Sequence, residues 1–360
     1  MLTDPRFLFR LVPVLLLLAV GCSDSSNPAG PEDEPDPTEA PVIEFFSVSA
    51  TDAVVLHGDF ATLRWRAVGA TSATVSPPVD LGGSAANGSA TIRPAFTTTY
   101  TLTASNQFGT VTETLDVNVL YRPGVYVDPV NGDDANLGDT PLASVATLPE
   151  ALSRTLGGGT IFLAGGLYTS PILIDAAQVS VYGGLDPETF FEGFPREQFL
   201  TTIRPTSGVP LTIRNTSGTM EISNIQFDAR DTEAFGAHIL DAEARLLNCS
   251  FDTRASMIAP AGTPTALLIE SVGAVSGVEA RSCKFYGSRS LTPFTTRGVS
   301  IEQNGGGANA VLLSNCFIDG GRALQRSSGV NINSTGEIGI GMCTIGAEIT
   351  SPGAGSTGSA

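Results

Sequence analysis

A seven-residue pattern that recurs five times in the second half of the chain constrains the fold more than any other feature of the sequence. The copies begin at residues 222, 246, 280, 313 and 340, so the spacings between them are 24, 34, 33 and 27 residues. Internal similarity with a period of about 20 to 50 residues is typical of a solenoid. We therefore expect stacked coils whose matching residues lie about 4.8 Å apart on parallel strands. Segments 267–269, 299–301 and 330–332 would supply a second sheet, and the variable length would lie in loops at one edge.

Cysteine takes the fourth position of the pattern in four copies, at Cys249, Cys283, Cys316 and Cys343. These residues share the phase of apolar residues such as Phe251, which predicts an inward ladder with cysteine acting as a small hydrophobe. Four cysteines in an exported protein would otherwise indicate two disulfides. Stacked neighbours have parallel Cβ vectors, which suit a disulfide poorly, so the pattern favours free buried thiols. A zinc site is disfavoured because the chain has no CxxC pair and only two histidines.

The N-terminus has the features of an export signal. Arg6 and Arg10 come before an apolar run at 11–20, which is shorter than the roughly 20 residues that span a bilayer. Residues 19–22, Ala-Val-Gly-Cys, resemble the bacterial lipobox, which implies cleavage before Cys22 and acylation of that residue. The alternative is an ordinary secretory signal with an incidental cysteine. Ser23 resembles an outer-membrane sorting signal, and residues 23–41 form an acidic, proline-rich linker.

Residues 42–121 change to the period-two alternation of short β-strands. Leu63 and Trp65 would share one face, and the Asn-Gln-Phe-Gly stretch at 106–109 predicts a hairpin turn. The segment resembles bacterial Ig-like modules, so we expect a β-sandwich that acts as a spacer. Trp65 could offer a stacking platform to a sugar, but its inward phase favours a place in the core.

Residues 122–360 form the third region. A Val-Tyr-Val-Asp strand at 125–128 precedes a loop rich in turn residues, and Thr147 with Glu150 forms a capping box for a short helix. This entry resembles that of right-handed parallel β-helix proteins of the pectate-lyase-like superfamily. The expected fold is thus all-β, an Ig-like β-sandwich followed by a right-handed parallel β-helix. Solenoids need terminal caps and none is visible in the low-complexity end at 353–360, so truncation of the C-terminus is an expectation.

Charge and composition exclude some functions. The chain has 19 basic and 36 acidic residues, a net charge of −17, and therefore lacks the basic footprint of a nucleic-acid binder. Four aspartates in the loop at 128–139 are candidate Ca²⁺ ligands, although Asp and Asn are also ordinary turn residues. These four are Asp128, Asp133, Asp134 and Asp139.

The candidate catalytic residues form a patch after the repeated strands, with Asp228 beside Arg230 and Asp252 beside Arg254. Asp319 and Arg322 repeat the pairing in a later coil. In the pectate-lyase-like superfamily, carboxylates hold Ca²⁺ against a uronate and Arg or Lys acts as the base, while related hydrolases use paired Asp residues. The alternative is that the arginines only screen stacked aspartates on a solvated outward face. The repetition favours this second interpretation.

Two functions follow as expectations. The first is a lipid-anchored protein of the bacterial outer membrane or cell surface, presenting a non-catalytic β-helix that binds polysaccharide or another surface. Its partners would be the membrane, through Cys22, and a glycan; no cofactor other than Ca²⁺ is implied. The alternative is an anchored polysaccharide lyase or glycoside hydrolase.

Overall fold

The computed structural model describes residues 39–80, 86–190, 196–216, 218–229, 235–254, 263–272, 277–289, 295–303, 310–323, 326–334 and 336–349. Seven strands come first: β1 Val42–Val48, β2 Val54–Leu56, β3 Ala61–Val68, β4 Ser72–Ser76, β5 Asn87–Ile92, β6 Thr98–Asn106 and β7 Gly109–Leu120. Strand β8 Val125–Val127 and helix α1 Leu148–Arg154 follow. The next strands are β9 Gly159–Ala164, β10 Gly166–Tyr168, β11 Ile172–Asp175, β12 Val179–Leu185, β13 Thr201–Ile203, β14 Leu211–Arg214, β15 Met220–Ser223, β16 Ile225–Asp228, β17 Phe235–Leu240 and β18 Glu243–Leu247. The last are β19 Ser250–Asp252, β20 Thr265–Ser271, β21 Gly277–Arg281, β22 Lys284–Tyr286, β23 Thr295–Gln303, β24 Ala310–Ser314, β25 Phe317–Ala323, β26 Arg326–Asn333, β27 Glu337–Gly341 and β28 Thr344–Ile349.

The first seven strands form two small sheets around a shared core. One sheet has the order β1-β3-β5, the other β2-β7-β6-β4, and β2 pairs with β7 in parallel. Leu63, Leu102 and Val117 are fully buried between them, as alternation predicts. Trp65 is also buried in this core, and Gly88 lies so close to its indole that a Cβ there would come within 2.3 Å of it. The core interpretation of Trp65 is therefore confirmed, and stacking on a sugar is excluded.

Strands β8 to β28 form three parallel sheets that the chain visits in turn. Sheet A has the order β27-β24-β21-β18-β15-β12-β9-β8, sheet B the order β10-β13-β16-β19-β22-β25-β28, and sheet C the order β11-β14-β17-β20-β23-β26. Each repeated pattern spans one strand of sheet A and the following strand of sheet B. The predicted coils and their second sheet are thus present, with one continuous apolar core running through them.

The interior of the coils is a set of columns, one residue from each coil. In sheet B the register pairs Phe227 with Phe251 and Phe251 with Phe285. Their rings stack nearly parallel, with centroids 5.0 and 5.3 Å apart. All three side chains are fully buried, so this stack is a closely packed part of the core.

The corner between sheet A and sheet B contains one residue in the left-handed conformation, which strains any residue other than glycine. Asn224, Asn248, Ser282, Asn315 and Met342 occupy it, with φ between 51° and 59°. Asparagine tolerates this region best among residues with a side chain. The Asn248 amide also donates to Oδ1 of Asn224 at 2.7 Å, which links consecutive corners.

Coil length varies at two corners, not at one edge as expected. From β15 onward, the A-to-B corner always takes one or two residues. The B-to-C connection ranges from the two residues between β25 and β26 to the twelve between β19 and β20. The C-to-A connection ranges from two to six residues. The expectation that the length varies at one edge was wrong. The repeated pattern covers only the A-to-B corner and the strands on either side of it, so it carries no information about the other two corners.

The four repeat cysteines have free thiols, as predicted. Cys249, Cys283 and Cys316 are buried in the core, while Cys343 is partly exposed. Each Sγ donates to a backbone carbonyl of the preceding coil, for example Cys283 to Leu246 at 3.3 Å. The adjoining Cys249 side chain, with burial, raises the pKa of Cys283 well above the ordinary range, which keeps the thiol protonated.

Only half of the expected capping box is present at α1. The Thr147 hydroxyl accepts from the backbone N–H of Glu150 at 3.4 Å. The carboxylate of Glu150, however, accepts from Arg154 at 2.8 Å instead of reaching back to the cap. Asp134 takes its place, accepting from the Thr147 N–H at 2.9 Å. Asp134, from the loop that precedes the helix, thus occupies the capping position expected for Glu150, and its hydrogen bonds connect that loop to α1.

Candidate functional site

A row of arginine–aspartate pairs follows the ends of the strands in sheet B. Asp228 ends β16 and Asp252 ends β19, and the register places them directly opposite each other. The same position holds Tyr286 in β22 and Asp319 in β25. We call these residues and the arginines that bind them the arginine row: Arg204, Asp228, Asp252, Arg254, Tyr286, Arg289 and Asp319.

The first pair joins two coils. Asp228 follows the inward Phe227, so it lies on the outer side of the sheet, yet its side chain is fully buried. Nε and Nη2 of Arg204, from the preceding coil, both bind Asp228 Oδ2 at 2.8 Å. The expected neighbour Arg230 lies outside the described residues. The expectation that Asp228 belongs to a solvated face is wrong, because its carboxylate is buried with the Arg204 guanidinium against it.

The second pair is the predicted one between Asp252 and Arg254. The guanidinium binds both carboxylate oxygens, with Nη2 to Oδ2 at 2.6 Å and Nε to Oδ1 at 3.0 Å. Its Cζ lies 4.1 Å from the ring centroid of Tyr286, a cation–π contact with the next coil. The hydrogen bonds that Arg254 donates to Asp252 raise the pKa of Arg254 above its ordinary value, so the guanidinium is charged at any ordinary pH. Asp252 is also buried, which corrects the same expectation of a solvated position.

The third pair was not singled out in the sequence. Arg289 Nη2 binds Asp319 Oδ2 at 3.2 Å, and the backbone N–H of Gly321 donates to Asp319 Oδ1 at 2.8 Å. Arg289 precedes Asp319 by 30 residues, a separation that varies with loop length. No fixed spacing in the sequence could have indicated it.

Burial separates the two charges of the row. The carboxylate side chains of Asp228, Asp252 and Asp319 are 0%, 5% and 17% exposed. Their arginine partners are 44%, 40% and 59% exposed, in the same order. The row therefore presents guanidinium N–H groups outward and keeps the aspartates beneath them. Guanidinium N–H groups bind carboxylates and hydroxyls. A general acid or base, in contrast, must contact the substrate, and the buried carboxylates of Asp228 and Asp252 are not placed to do so.

A second polar cluster lies on the outer side of sheet C and was missed in the sequence. His238 Nε2 lies 2.5 Å from Glu270 Oε2, one strand further along. Glu270 is directly opposite Glu302 on β23. Arg297 Nη1 binds Glu302 Oε1 at 2.9 Å, and the Ser300 hydroxyl binds the same oxygen at 3.0 Å. Segments 267–269 and 299–301 were recognised as matching strands, and extending that match by one residue would have paired the two glutamates.

The aspartate loop at 128–139 is held by its own hydrogen bonds. Asp128 Oδ1 accepts from the N–H of Val130 at 2.8 Å, and Asp133 Oδ1 accepts from that of Ala135 at 2.9 Å. Asp134 caps the helix as described above, and Asp139 is exposed. Slight burial opposes ionisation of Asp134, but hydrogen bonds from Thr147 and Ala146 outweigh it and lower its pKa. Among the described residues, no three His, Cys, Asp or Glu side chains are grouped as a metal site would need.

The proposed anchor at Cys22 and the apolar run before it lie outside the described residues. Within the part of the chain that the structure covers, no helix is long and apolar enough to cross a membrane.

Comparison with known proteins does not assign the chain to a family. No family model matches the chain, and neither the curated proteins nor the solved structures contain a match to it.

Proposed function

We propose that the chain is a lipid-anchored protein of the bacterial outer membrane or cell surface whose right-handed parallel β-helix binds an acidic polysaccharide without cleaving it. The export signal and Cys22 supply the anchor in this proposal. The first seven strands, an Ig-like spacer, hold the β-helix away from the membrane.

The observation that supports binding is the arrangement of the arginine row. Its guanidinium groups recur along the axis of the coils, as the charged groups of a polymer do. Each arginine of the row is oriented by a carboxylate beneath it, so less side-chain freedom is lost when a ligand binds. A planar guanidinium can bind a uronate carboxylate through two N–H groups.

Titration of the purified protein with polygalacturonate and with a neutral glucan tests the proposal. The acidic polymer should bind and the neutral one should bind far more weakly. Arg254→Gln should weaken polygalacturonate binding about tenfold, since a hydrogen bond to a charged group contributes roughly 1.5–3 kcal/mol. Arg281→Gln is the matched control, because Arg281 lies on sheet A, is 61% exposed and pairs with Glu279. Equal affinity of the two variants would contradict a role for the row.

The second candidate, an anchored lyase or hydrolase, is favoured by Glu270 and Glu302. These carboxylates face each other on adjacent strands and are 34% and 32% exposed, unlike the buried aspartates. Paired carboxylates are the usual catalytic groups of glycoside hydrolysis. Absorbance at 235 nm would detect unsaturated uronates from a lyase, and a reducing-sugar assay would detect hydrolysis. Turnover that disappears in Glu270→Gln would replace the binding-only proposal.

A further inference from the structure

A cavity of about 190 Å³ lies where the first seven strands meet the start of the coils. His57, Gly58 and Arg93 line it from the first seven strands, and Arg122 from the segment that follows β7. The coils contribute the aromatic side chains of Tyr126, Phe162, Tyr182 and Phe190. The cavity is separate from the arginine row, none of whose residues line it.

The aromatic wall is a packed and fixed surface. The Tyr126 and Phe162 rings stack with centroids 4.9 Å apart, and Phe190 meets Tyr126 edge-on at 5.3 Å. Tyr182 extends the stack from Phe162 at 5.8 Å and is the most exposed of the four. Phe190 has a φ of 53°, a conformation that is costly for a bulky residue. The wall is therefore held by the packing of its own rings.

The charges that line the cavity are basic. Arg93 and Arg122 are its arginines, and among the described residues no aspartate or glutamate lines it. Both guanidinium groups are near enough to His57 to lower its pKa, beyond the larger effect of burial. Arg122 is exposed, and its charge also acts on Tyr126 and Tyr182. Glu221 lies beside Tyr182, outside the lining. In a chain with 36 acidic and 19 basic residues, such a lining favours an anion.

The size and the walls restrict the anion further. A volume of 190 Å³ corresponds to about six water molecules, at roughly 30 Å³ each. That space is larger than a simple inorganic ion needs and too small for several sugar units. Aromatic side chains pack against the apolar faces of rings, while guanidinium groups bind a carboxylate.

We propose that this cavity binds a single sugar acid, with its carboxylate at Arg122 and its ring against Tyr182 and Phe162. The choice of a sugar acid over another small organic anion rests on the proposed polysaccharide binding. The cavity would take a terminal or isolated unit, whereas the arginine row would take the polymer along its length.

Calorimetric titration of the full chain with sodium D-glucuronate tests the cavity, because a monosaccharide cannot span the row and Arg122, which the variants alter, is not part of the row. D-Glucose and inorganic phosphate are the comparison ligands. Glucuronate should bind with a stoichiometry of one, and both comparison ligands at least about tenfold more weakly. Arg122→Gln should reduce glucuronate affinity about tenfold or more, and Arg122→Lys by less, since a charge remains without the bidentate geometry. Arg281→Gln should bind as the unaltered chain does.

Several results would overturn the proposal. These are no heat of binding for glucuronate, equal affinity in Arg122→Gln, or phosphate binding as tight as glucuronate, which would indicate a simple anion site. A circular dichroism spectrum of each variant establishes that it is folded. Failure of the glucuronate experiment would not affect the proposal for the arginine row, because that row is tested with polygalacturonate and Arg254→Gln. Failure of the row likewise leaves glucuronate binding as an independent result.

Discussion

Asp228 and Asp252 are two buried carboxylates on adjacent strands, and each is neutralised by its own arginine. Two carboxylates that face each other on adjacent strands repel, and burial strengthens the repulsion because the local dielectric is low. Arg204 approaches one from the preceding coil, while Arg254 folds back onto the other. The pair is held by these two cations, so each arginine has a structural task as well as the proposed binding task.

Removing Arg204 tests the structural task. In Arg204→Ala the fully buried Asp228 carboxylate loses its salt bridge, and we expect a loss of about 2 kcal/mol in unfolding free energy. This lies below the range for a wholly buried pair because Arg204 is 44% exposed. Urea unfolding measures the change. Arg66→Ala is the control, since its salt bridge with Glu44 is exposed on both sides and should contribute under about 1 kcal/mol. Equal losses would show that burial of Asp228 has no energetic consequence.

Met342 is the least suited of the residues at the A-to-B corner. It has a φ of 51° and is 89% exposed, so it bears left-handed strain with little packing in return. We expect Met342→Asn to stabilise the chain by roughly 0.5–1 kcal/mol, because asparagine tolerates this conformation. The new amide would lie one corner beyond Asn315, in the same relation as Asn248 to Asn224, whose side chains are hydrogen-bonded. Thermal unfolding measures the gain, and Met342→Ala, which keeps the strain, should show none.

At the scale of elements, phenylalanine occurs on both sides of sheet B, in the core and on the exterior. Phe251 is fully buried in the stack of three rings, whereas Phe317, on a later strand of the same sheet, is 41% exposed. Phe251→Ala should therefore lower the unfolding free energy by about 3–5 kcal/mol. Phe317→Ala is the matched control and should cost under about 1 kcal/mol. Guanidinium unfolding followed by circular dichroism distinguishes the two, and similar losses would contradict the assigned alternation.

The repeated elements could be predicted from sequence because their signal is local. The pattern that begins at residue 222 covers two strands and the corner between them, so aligning the copies fixes strands, phase and buried cysteines together. The salt bridge of Arg204 and the contact of His238 with Glu270 could not be predicted in the same way. They join different coils, and loop length, which the pattern does not contain, decides which residues meet. The burial of Asp228 was missed for a related reason, since alternation gives the side of a sheet and not what covers it.

At the scale of the whole molecule, His57 connects the first seven strands with the coils. It is buried, and its Nε2–H donates to the carbonyl of Thr189 at 2.6 Å. Its ring also lies beside Tyr121 and Tyr126, at centroid distances of 5.4 and 6.5 Å. The contact between the two regions is thus built around this imidazole.

The stability of this contact should depend on pH. Burial, aided by Arg122 and Arg93, lowers the pKa of His57 below its ordinary value of 6.5. The unfolded chain then binds the proton more readily, so this contribution is present above about pH 6.5 and is lost as pH falls from there through the lowered pKa. The thermal midpoint should fall more between pH 7.5 and 5.5 in the unaltered chain than in His57→Gln. His238→Gln controls for the removal of an imidazole. An equal fall in His57→Gln would contradict the assignment.

The short corner between sheets A and B has a consequence for how such a chain changes over generations. The strands of each coil pair with those of the coils before and after it in the same register. A duplication or excision that starts and ends at equivalent corners therefore adds or removes one complete coil. The new junction again joins a strand of sheet A to one of sheet B, and the columns inside stay aligned. We therefore expect the fold to tolerate unequal recombination between the repeats, which would lengthen or shorten the molecule in steps of about 4.8 Å.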